Sequence, residues 1–260
     1  MVNLMIALVT GASSGIGRDI ARELFYKGYD LIIVARDEKK LMELKQDLEE
    51  KNKNQKVYIK TVDLSNENEC KMLYTDVKKE FENIDILVNN AGFGLFGKFT
   101  ETNLDIELNM IRTNVEAVHM LTKLFLKDMV NVNKGKILNV ASVAGFMPGP
   151  LMATYYSTKN YVFRLSQAIQ KELKKMKSNV QISVLCPGPV DTNFNNVAGV
   201  RFGLKEANSQ DVARYAVNKM LKGKFKIIPR FEIKLARLGS KLFPDELVAE
   251  FAYYSQKRKM

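Results

Sequence analysis

The chain has 260 residues, with 40 Lys or Arg against 29 Asp or Glu, a formal net charge of +11, one His and two Cys. A Ser-His-Asp triad needs a His as its base and a His-rich zinc site needs more than one, so His119 alone would have to serve either chemistry. Two Cys provide neither a tetrahedral Cys site nor a disulfide framework, which fits a reducing compartment and predicts a cytoplasmic protein without a bound metal.

Short β-branched runs alternate with helix-length amphipathic segments along the chain, and turn or polar residues bound each run. The predicted strands span residues 5–10, 31–35, 57–62, 84–89, 136–141 and 181–185. Strand followed by helix, repeated in this way, predicts an α/β protein with a doubly wound parallel sheet between two layers of helices. Functional residues are then expected just after the strands, because ligands bind such sheets at the carboxyl ends of the strands.

The alternation ends near Gly223, where a basic region begins. Residues 201–260 contain 14 Lys or Arg against 6 Asp or Glu, a charge of +8, whereas residues 1–200 contain 26 against 23, a charge of +3. We therefore predict a catalytic domain over residues 1–225 and a basic amphipathic C-terminal extension over residues 226–260. Nucleic-acid binding is not predicted, because the main fold lacks a basic stripe interleaved with aromatic residues.

A glycine-rich turn follows the first predicted strand. It reads Thr10-Gly11-Ala12-Ser13-Ser14-Gly15-Ile16-Gly17 and leads into an amphipathic segment. Its glycines permit a tight turn, a bare backbone that a pyrophosphate can approach and close packing of the next helix, whose N-terminus offers free N–H groups. The turn predicts a phosphate site, and a purely structural strand-to-helix turn is the alternative.

Three motifs together carry a family resemblance. The Thr-Gly-x-x-x-Gly-x-Gly spacing of the first turn is typical of the short-chain dehydrogenase/reductase family. Asn89-Asn90-Ala91-Gly92 follows the fourth strand, and Pro187-Gly188-Pro189-Val190-Asp191-Thr192 follows the sixth, like the family's Asn-Asn-Ala-Gly and Pro-Gly-x-Val-x-Thr motifs. The chain thus resembles the classical type of this family, and within it a subgroup of uncharacterised bacterial reductases. The resemblance implies a single Rossmann-like three-layer domain that binds a nicotinamide cofactor.

The resemblance also implies which residues bind that cofactor. Asp63 would contact the adenine, Asn90 the ribose region, and Val190 and Thr192 the nicotinamide carboxamide. The full implied set is Gly11, Ser13, Ser14, Gly15, Ile16, Gly17, Arg36, Asp63, Leu64, Asn90, Ala91, Gly92, Tyr155, Lys159, Pro187, Gly188, Val190 and Thr192.

The residue after the second strand decides between NADP(H) and NAD(H). An acidic residue there would accept hydrogen bonds from the adenosine ribose hydroxyls and repel a 2′-phosphate, whereas an Arg would pair with that phosphate. The sequence has Ala35-Arg36. We therefore predict NADP(H), with Ser13 as a second phosphate contact; the alternative is that Arg36 is a solvated surface residue at a helix start.

Tyr155 and Lys159 are four residues apart in a segment that is predicted to be helical, so their side chains project from one face. A Lys ammonium beside a phenol is expected to lower the pKa of the phenol, which then gives a proton to a carbonyl oxygen as hydride arrives at the carbon. With Asn114 and Ser142, these residues match the catalytic tetrad of the family. The resemblance makes Tyr155 the acid or base, lets Ser142 orient the substrate oxygen and Lys159 bind the ribose, and gives Asn114 a water relay to Lys159.

The residues expected around the nicotinamide end are largely apolar. They are Phe93, Phe96, Phe146, Met147, Leu151 and Phe194. Such a lining predicts a hydrophobic carbonyl or alcohol substrate of the lipid, steroid or 3-oxoacyl type. About half of these residues could instead belong to the core.

The C-terminal extension shows an apolar stripe and a parallel basic stripe at helical spacing. Phe231, Leu235, Leu238 and Leu242 form the first, and Arg230, Lys234, Arg237 and Lys241 the second. We interpret it as a lid or dimer contact, with an acidic carrier or a membrane surface as alternatives. The family's Thr-Gly-x-x-x-x-x-Asp-Gly-Gly strand, which builds a tetramer interface, is absent from the sequence, so a homodimer is expected and a tetramer is the alternative.

Taken together, the residues and the resemblance predict an NADP(H)-dependent oxidoreductase. It would interconvert a ketone or aldehyde and an alcohol on a hydrophobic substrate. Two alternatives are a cofactor-sensing regulator or scaffold on the same fold and a membrane-associated lipid-binding protein; family members that have become regulators typically lose Tyr or Lys from the active set, and here all four residues are present.

Overall fold

The computed structural model describes residues 5–194, 198–199, 206–230 and 243–257. In these ranges the strands are β1 (Ile6–Thr10), β2 (Asp30–Ala35), β3 (Val57–Thr61), β4 (Ile86–Asn89), β5 (Lys136–Val140), β6 (Gln181–Leu185) and β7 (Lys226–Ile227). The α-helices are α1 (Gly15–Phe25), α2 (Glu38–Lys51), α3 (Glu67–Glu80), α4 (Leu104–Ile111), α5 (Ala117–Asn131), α6 (Ala153–Lys175), α7 (Ser209–Leu221) and α8 (Asp245–Lys257). A π-helical turn (Arg112–Glu116) joins α4 to α5, and a 3-10 turn (Val143–Phe146) follows β5.

The strands form a parallel sheet in the order β3-β2-β1-β4-β5-β6-β7, counted over the described residues. The predicted doubly wound Rossmann-like fold is confirmed. The strand order reverses between β1 and β4, which are neighbours in space although two strands and three helices separate them in the chain. This crevice is where ligands bind in such sheets, and the glycine turn and the Asn-Asn-Ala-Gly motif lie on its two sides.

Alternate residues of each central strand face opposite layers of helices. In β1, Ala7 and Val9 pack in the core formed with α1, α2 and α7, whereas Ile6 and Leu8 pack in the core formed with α3 and α5. Because both faces of the sheet are covered, the central strands are apolar throughout rather than alternating with polar residues. This layering supports the carboxyl edge of the sheet on both sides.

Side-chain caps define the starts of most helices around this edge. Asp37, Asn66 and Asn103 accept backbone N–H groups at the first turns of α2, α3 and α4. Ser14, at the start of α1, makes no side-chain cap hydrogen bond. The first turn of α1 therefore leaves N–H groups available for an acceptor from outside the helix.

Strand β7 was not predicted, because two residues carry no detectable periodicity. Val184 N donates to Phe225 O at 2.6 Å and Cys186 N donates to Ile227 O at 2.8 Å, so the sheet continues past the predicted domain end at residue 225. Most of the predicted basic helix, from Phe231 to Leu242, lies outside the described residues. No helix in the described ranges is long and apolar enough to cross a membrane.

Candidate active site

The backbone of the glycine turn packs directly against the backbone of the turn that follows β4. Gly11 has φ +66°, and a Cβ built on it would lie 2.8 Å from Ala91 Cα. At Gly17 a Cβ would lie 2.2 Å from Asn90 Nδ2 and 2.3 Å from Gly11 O. Glycine is required at these positions because any side chain would push the two turns apart.

Hydrogen bonds hold the same two turns together. Asn90 Nδ2 donates to Thr10 O at 3.0 Å and to Gly11 O at 3.3 Å. Thr10 Oγ1 accepts from the backbone N–H groups of Asn90 and Ala91 at 3.0 and 3.1 Å. The amide N–H groups of Asn90 are thus directed to the backbone of the first turn. Thr10 was missing from the predicted site, although its place directly before Gly11 was the available signal.

A cleft of about 870 Å³ runs from this turn across the carboxyl edge of the sheet. One end is lined by Ser13, Arg36, Asp37, Lys40 and Asp63. Asp37 accepts from Lys40 N at 3.1 Å and pairs with Lys40 Nζ at 2.8 Å, so it is occupied at the start of α2. Arg36 is exposed and lines this end of the cleft, so an incoming phosphate could meet its guanidinium, whereas Lys40 is already paired with Asp37.

Asp63 is held in place by its neighbour Ser65. Its Oδ1 accepts from Ser65 N at 3.0 Å and from Ser65 Oγ at 2.8 Å. Burial raises the pKa of this carboxyl, but the two Ser65 hydrogen bonds and the charge of Arg36 outweigh burial and lower the pKa from its ordinary value. Asp63 is therefore an ionised acceptor at this end of the cleft.

Tyr155 and Lys159 lie one turn apart on α6, and both are buried. Lys159 Nζ donates to Val140 O at 3.0 Å and is 5.8 Å from the centre of the Tyr155 ring. Ser142, just after β5, accepts from Ala144 N at 3.2 Å and begins the 3-10 turn. The cleft is lined by all three of these side chains.

Burial dominates the titration of this pair. It raises the pKa of Tyr155 above the ordinary phenol value, and a hydrogen bond with Ser142 offsets part of the rise. It also lowers the pKa of Lys159 to about 8. The pKa of Tyr155 is thus raised rather than lowered as predicted, because burial removes hydration from the phenolate.

Asn114 lies in the π-helical turn and is fully buried. Its Nδ2 donates to Phe93 O at 2.8 Å and to Thr158 Oγ1 at 3.1 Å, and its Oδ1 accepts from Phe93 N at 3.1 Å. A Cβ on Gly92 would lie 2.7 Å from Asn114 Oδ1 and 3.4 Å from Lys159 Nζ. The residue at position 92 must therefore be small for Asn114 and Lys159 to approach each other.

The other end of the cleft is largely apolar. Phe93, Phe146, Met147 and Phe194 line it, and the ring centre of Phe194 lies 5.3 Å from that of Tyr155. Two further predicted substrate residues, Phe96 and Leu151, do not line the cleft. Phe96 packs against the cluster around Met152, and Leu151 is buried with φ +64° in a turn.

Residues outside the predicted site also line the cleft, among them Tyr156 and Ser255. Tyr156 directly follows Tyr155, and Ser255 lies on the last turn of α8. Ser255 comes 99 residues after Tyr156 in the chain. No local motif connects the two segments, so only the folded chain brings them together.

The predicted cofactor residues otherwise lie along this cleft. Its walls include Gly11, Ser13, Ser14, Gly15, Ile16, Arg36, Asp63, Leu64, Asn90, Ala91, Gly92, Tyr155, Lys159, Pro187, Gly188, Val190 and Thr192. Gly17 is the exception, since it lies behind the turn against Asn90. The bare turn and the uncapped start of α1 fit a dinucleotide, because a pyrophosphate needs close backbone approach and free N–H donors.

Known proteins resemble this chain along most of its length. A family model described as short chain dehydrogenase matches residues 5–200. An uncharacterised oxidoreductase of Staphylococcus saprophyticus is 34% identical over 214 residues, which cover 82% of this chain and 89% of that protein. A very-long-chain 3-oxoacyl-CoA reductase of Pyrenophora tritici-repentis is 37% identical over 172 residues, which cover 65% of this chain and 50% of that protein.

Solved structures share the fold. A short-chain dehydrogenase from Sphingobium yanoikuyae in complex with NADPH has a TM-score of 0.82 at 28% identity, covering 93% of this chain and 96% of that one. A short chain dehydrogenase/reductase from Burkholderia phymatum in complex with NAD also has a TM-score of 0.82, at 25% identity, covering 90% and 92%. The similar structures therefore include proteins in complex with either nicotinamide cofactor.

Proposed function

Because the chain belongs to the short-chain dehydrogenase/reductase family of oxidoreductases, we propose that it interconverts a hydrophobic ketone or aldehyde and the corresponding alcohol with NADP(H). One observation carries the proposal. Tyr155, Lys159 and Ser142 line one cleft between the glycine turn and an apolar end, and Asn114 is fixed behind them. This arrangement supplies an acid, a cation and an orienting hydroxyl next to a space for a carbonyl compound.

The cofactor choice rests on Arg36. Related structures hold NADPH in one case and NAD in another, so fold similarity alone favours neither. Arg36 places a positive charge at the end of the cleft where the adenosine ribose would lie, whereas Asp37 and Lys40 offset each other as an ion pair. Charge-assisted hydrogen bonds from a guanidinium to a phosphate favour NADP(H) at this position, with Ser13 as a neighbouring donor.

The proposed chemistry divides between the cofactor and the chain. When bound, NADPH supplies the hydride that reaches the carbonyl carbon. Tyr155 gives its Oη proton to the carbonyl oxygen, so that the ketone becomes the alcohol; in the oxidative direction the phenolate takes that proton back. Ser142 donates a hydrogen bond that orients the substrate oxygen. Lys159 stabilises the phenolate and binds the ribose, and Asn114 connects Lys159 to a water relay.

The substrate class rests on the lining of the apolar end. Phe93, Phe146, Met147 and Phe194 offer aromatic and thioether surface, which suits a lipid, steroid or 3-oxoacyl compound. The fungal relative named as a very-long-chain 3-oxoacyl-CoA reductase supports the 3-oxoacyl choice, although this chain covers only half of its length.

Three further proposals rest on the sequence analysis. We propose a cytoplasmic enzyme, a homodimer with a tetramer as the alternative, and a C-terminal extension that begins near β7 and acts as a lid or dimer contact. The described part of that extension, α8, reaches the cleft through Ser255.

A carbonyl panel tests the function. The purified chain is given NADPH or NADH with small ketones, ketosteroids and 3-oxoacyl thioesters, and loss of the reduced-nicotinamide absorbance is followed. We expect NADPH oxidation with at least one hydrophobic carbonyl compound and a clear preference over NADH. Tight NADPH binding without turnover on the whole panel would instead support a cofactor-sensing regulator, and a clear NADH preference would contradict the role given to Arg36.

A further inference from the structure

Helix α8 brings the end of the chain to the substrate end of the cleft. Ser255 lines the cleft, and Gln256, the next residue, is 2% exposed. Gln256 Nε2 donates a hydrogen bond to the hydroxyl of Tyr156. Two positions that are 100 residues apart in the chain are thus joined beside the proposed acid, Tyr155.

The ring of Tyr156 packs directly against the backbone of Gly149. A Cβ on Gly149 would lie 2.0 Å from the Cγ of Tyr156, so a glycine is needed there for the ring to fit. Burial raises the pKa of Tyr156 to about 12, and the hydrogen bond from Gln256 acts in the opposite direction. Its phenol is therefore neutral near pH 7 and can serve as a fixed polar anchor.

The contact with α8 rests on few groups. In the described part of the chain, α8 buries Ala252 and Gln256. Its larger apolar side chains stay in solvent, since Leu247, Phe251 and Tyr254 are 58%, 78% and 57% exposed. Gln256 Oε1 is buried and has no hydrogen-bond partner among the described residues. Among the described residues, the Gln256–Tyr156 hydrogen bond is the side-chain hydrogen bond that joins α8 to the rest of the chain, and the unpaired Oε1 acceptor adds no stabilisation to this contact.

We propose that Gln256 is a positioning residue for substrate selectivity, which holds α8 against Tyr156 so that α8 and Tyr156 form the far wall of the substrate pocket. The inference rests on the proposed carbonyl reduction. A long or bulky hydrophobic carbonyl compound would reach this wall and bury apolar surface against it. A small ketone would react at Tyr155 without reaching it, so the wall selects for large substrates.

Single and double substitutions test the pair. Gln256→Met leaves the Tyr156 hydroxyl without its partner, and Tyr156→Phe leaves the Gln256 amide without one, so each single variant loosens α8. The double variant replaces both polar groups by apolar groups of similar shape, which can be nearly neutral. The kcat/KM ratio of a bulky over a small ketone should fall about fivefold in each single variant, as for the loss of about 1 kcal/mol, and recover in the double variant.

A second measurement does not depend on turnover. Hydrogen exchange of the α8 amides should be about fivefold faster in each single variant and return to the wild-type rate in the double variant. Tyr161→Phe is the matched control, since this tyrosine is also on α6 and its hydroxyl is bound to His119 at 2.7 Å, away from the cleft. It should change neither the selectivity ratio nor the exchange of α8.

Three results would overturn the inference. They are additive losses without recovery in the double variant, equal losses for bulky and small ketones, and unchanged α8 exchange in the single variants. A wild-type chain that reduces no carbonyl compound would reject the proposed function instead, and the exchange experiment would still decide whether Gln256 holds α8 in place.

Discussion

The two ends of the cleft are built from different kinds of contact. At the cofactor end, the turns after β1 and β4 meet through glycines and backbone hydrogen bonds, as between Asn90 Nδ2 and Thr10 O at 3.0 Å. At the substrate end, aromatic side chains such as Phe194 and the distant helix α8 supply the walls. The side chains of Tyr155 and Lys159 on α6, for which we propose catalytic roles, lie between the two ends.

The difference shows where the chain tolerates change. Backbone contacts admit few residues, because a Cβ at Gly11 or Gly17 would overlap atoms of the opposite turn. Apolar walls accept many side chains of similar volume. Substrate preference can therefore change while the cofactor site is retained.

Tyr155→Phe should give the largest effect, because it should abolish turnover while leaving NADPH binding at the other end of the cleft nearly unchanged. The variant keeps the ring that packs on Phe194 but has no proton to give, so kcat should fall about 10³-fold. The Kd for NADPH, measured by fluorescence titration, should change less than about threefold. Tyr161→Phe is the control and should retain full kcat. A Tyr155→Phe variant with near wild-type kcat would remove Tyr155 from the mechanism.

Gly17→Ala should weaken the contact between the two turns at the cofactor end. The new methyl group would lie 2.2 Å from Asn90 Nδ2 and 2.3 Å from Gly11 O, and relieving such overlap costs about 1–3 kcal/mol. We expect at least a tenfold rise in the Kd for NADPH and a lower urea midpoint. Gly28→Ala is the comparison variant, because its Cβ would meet only Met5 Cε at 3.8 Å, although its φ is +90°. The comparison fails if both variants bind NADPH like the wild type.

Lys159→Met tests the desolvated lysine between the two ends of the cleft, through the pH dependence of the free energy of unfolding. Burial lowers the pKa of Lys159 from 10.5 to about 8, so the folded chain binds this proton less tightly than the unfolded chain. The resulting destabilisation is complete below pH 8 and is relieved as the pH rises toward 10.5. The stability of the variant minus that of the wild type should therefore fall by about 2 kcal/mol between pH 7 and pH 9.5.

Urea unfolding at both pH values, without cofactor, measures this difference. Lys39→Met is the control, since Lys39 is exposed on α2, and its stability difference should stay constant. If the Lys159→Met difference is also independent of pH, Lys159 is not held in a desolvated site.

Arg36→Ala should have the smallest effect, which is confined to the adenosine end. Loss of one exposed guanidinium–phosphate contact should raise the KM for NADPH about tenfold and leave the KM for NADH within twofold. Lys39→Ala is the control, because Lys39 lies near the same helix start but does not line the cleft. Equal changes for both cofactors would show that Arg36 does not read the 2′-phosphate.

The glycine turn at one end of the cleft could be located from the sequence because its backbone geometry requires glycines at a fixed spacing. Glycine spacing located the turn, and the positions of Tyr155 and Lys159 followed from helical spacing. The six predicted strands match β1 to β6 with shifts of up to two residues at their ends. These features depend on residues that are close together in the chain, so short stretches of sequence are enough to predict them.

The substrate end could not be read in this way. Strand β7 has two residues and exists because β6 offers a free edge, and Gln256 meets Tyr156 only in the folded chain. Phe96 and Phe93 look equivalent in sequence, yet only Phe93 lines the cleft. The pKa of Tyr155 was misjudged for the same reason, since burial depends on the whole fold.

Isotope transfer tests the central claim most directly. NADPH deuterated at both C4 positions is incubated with the chain and a hydrophobic ketone, and the alcohol is analysed by mass spectrometry. We predict one deuterium on the carbinol carbon in the wild type and almost no labelled alcohol in Tyr155→Phe. Alcohol that forms without deuterium, or no alcohol from any ketone despite NADPH binding, would contradict the claim that this cleft transfers hydride to a carbonyl carbon.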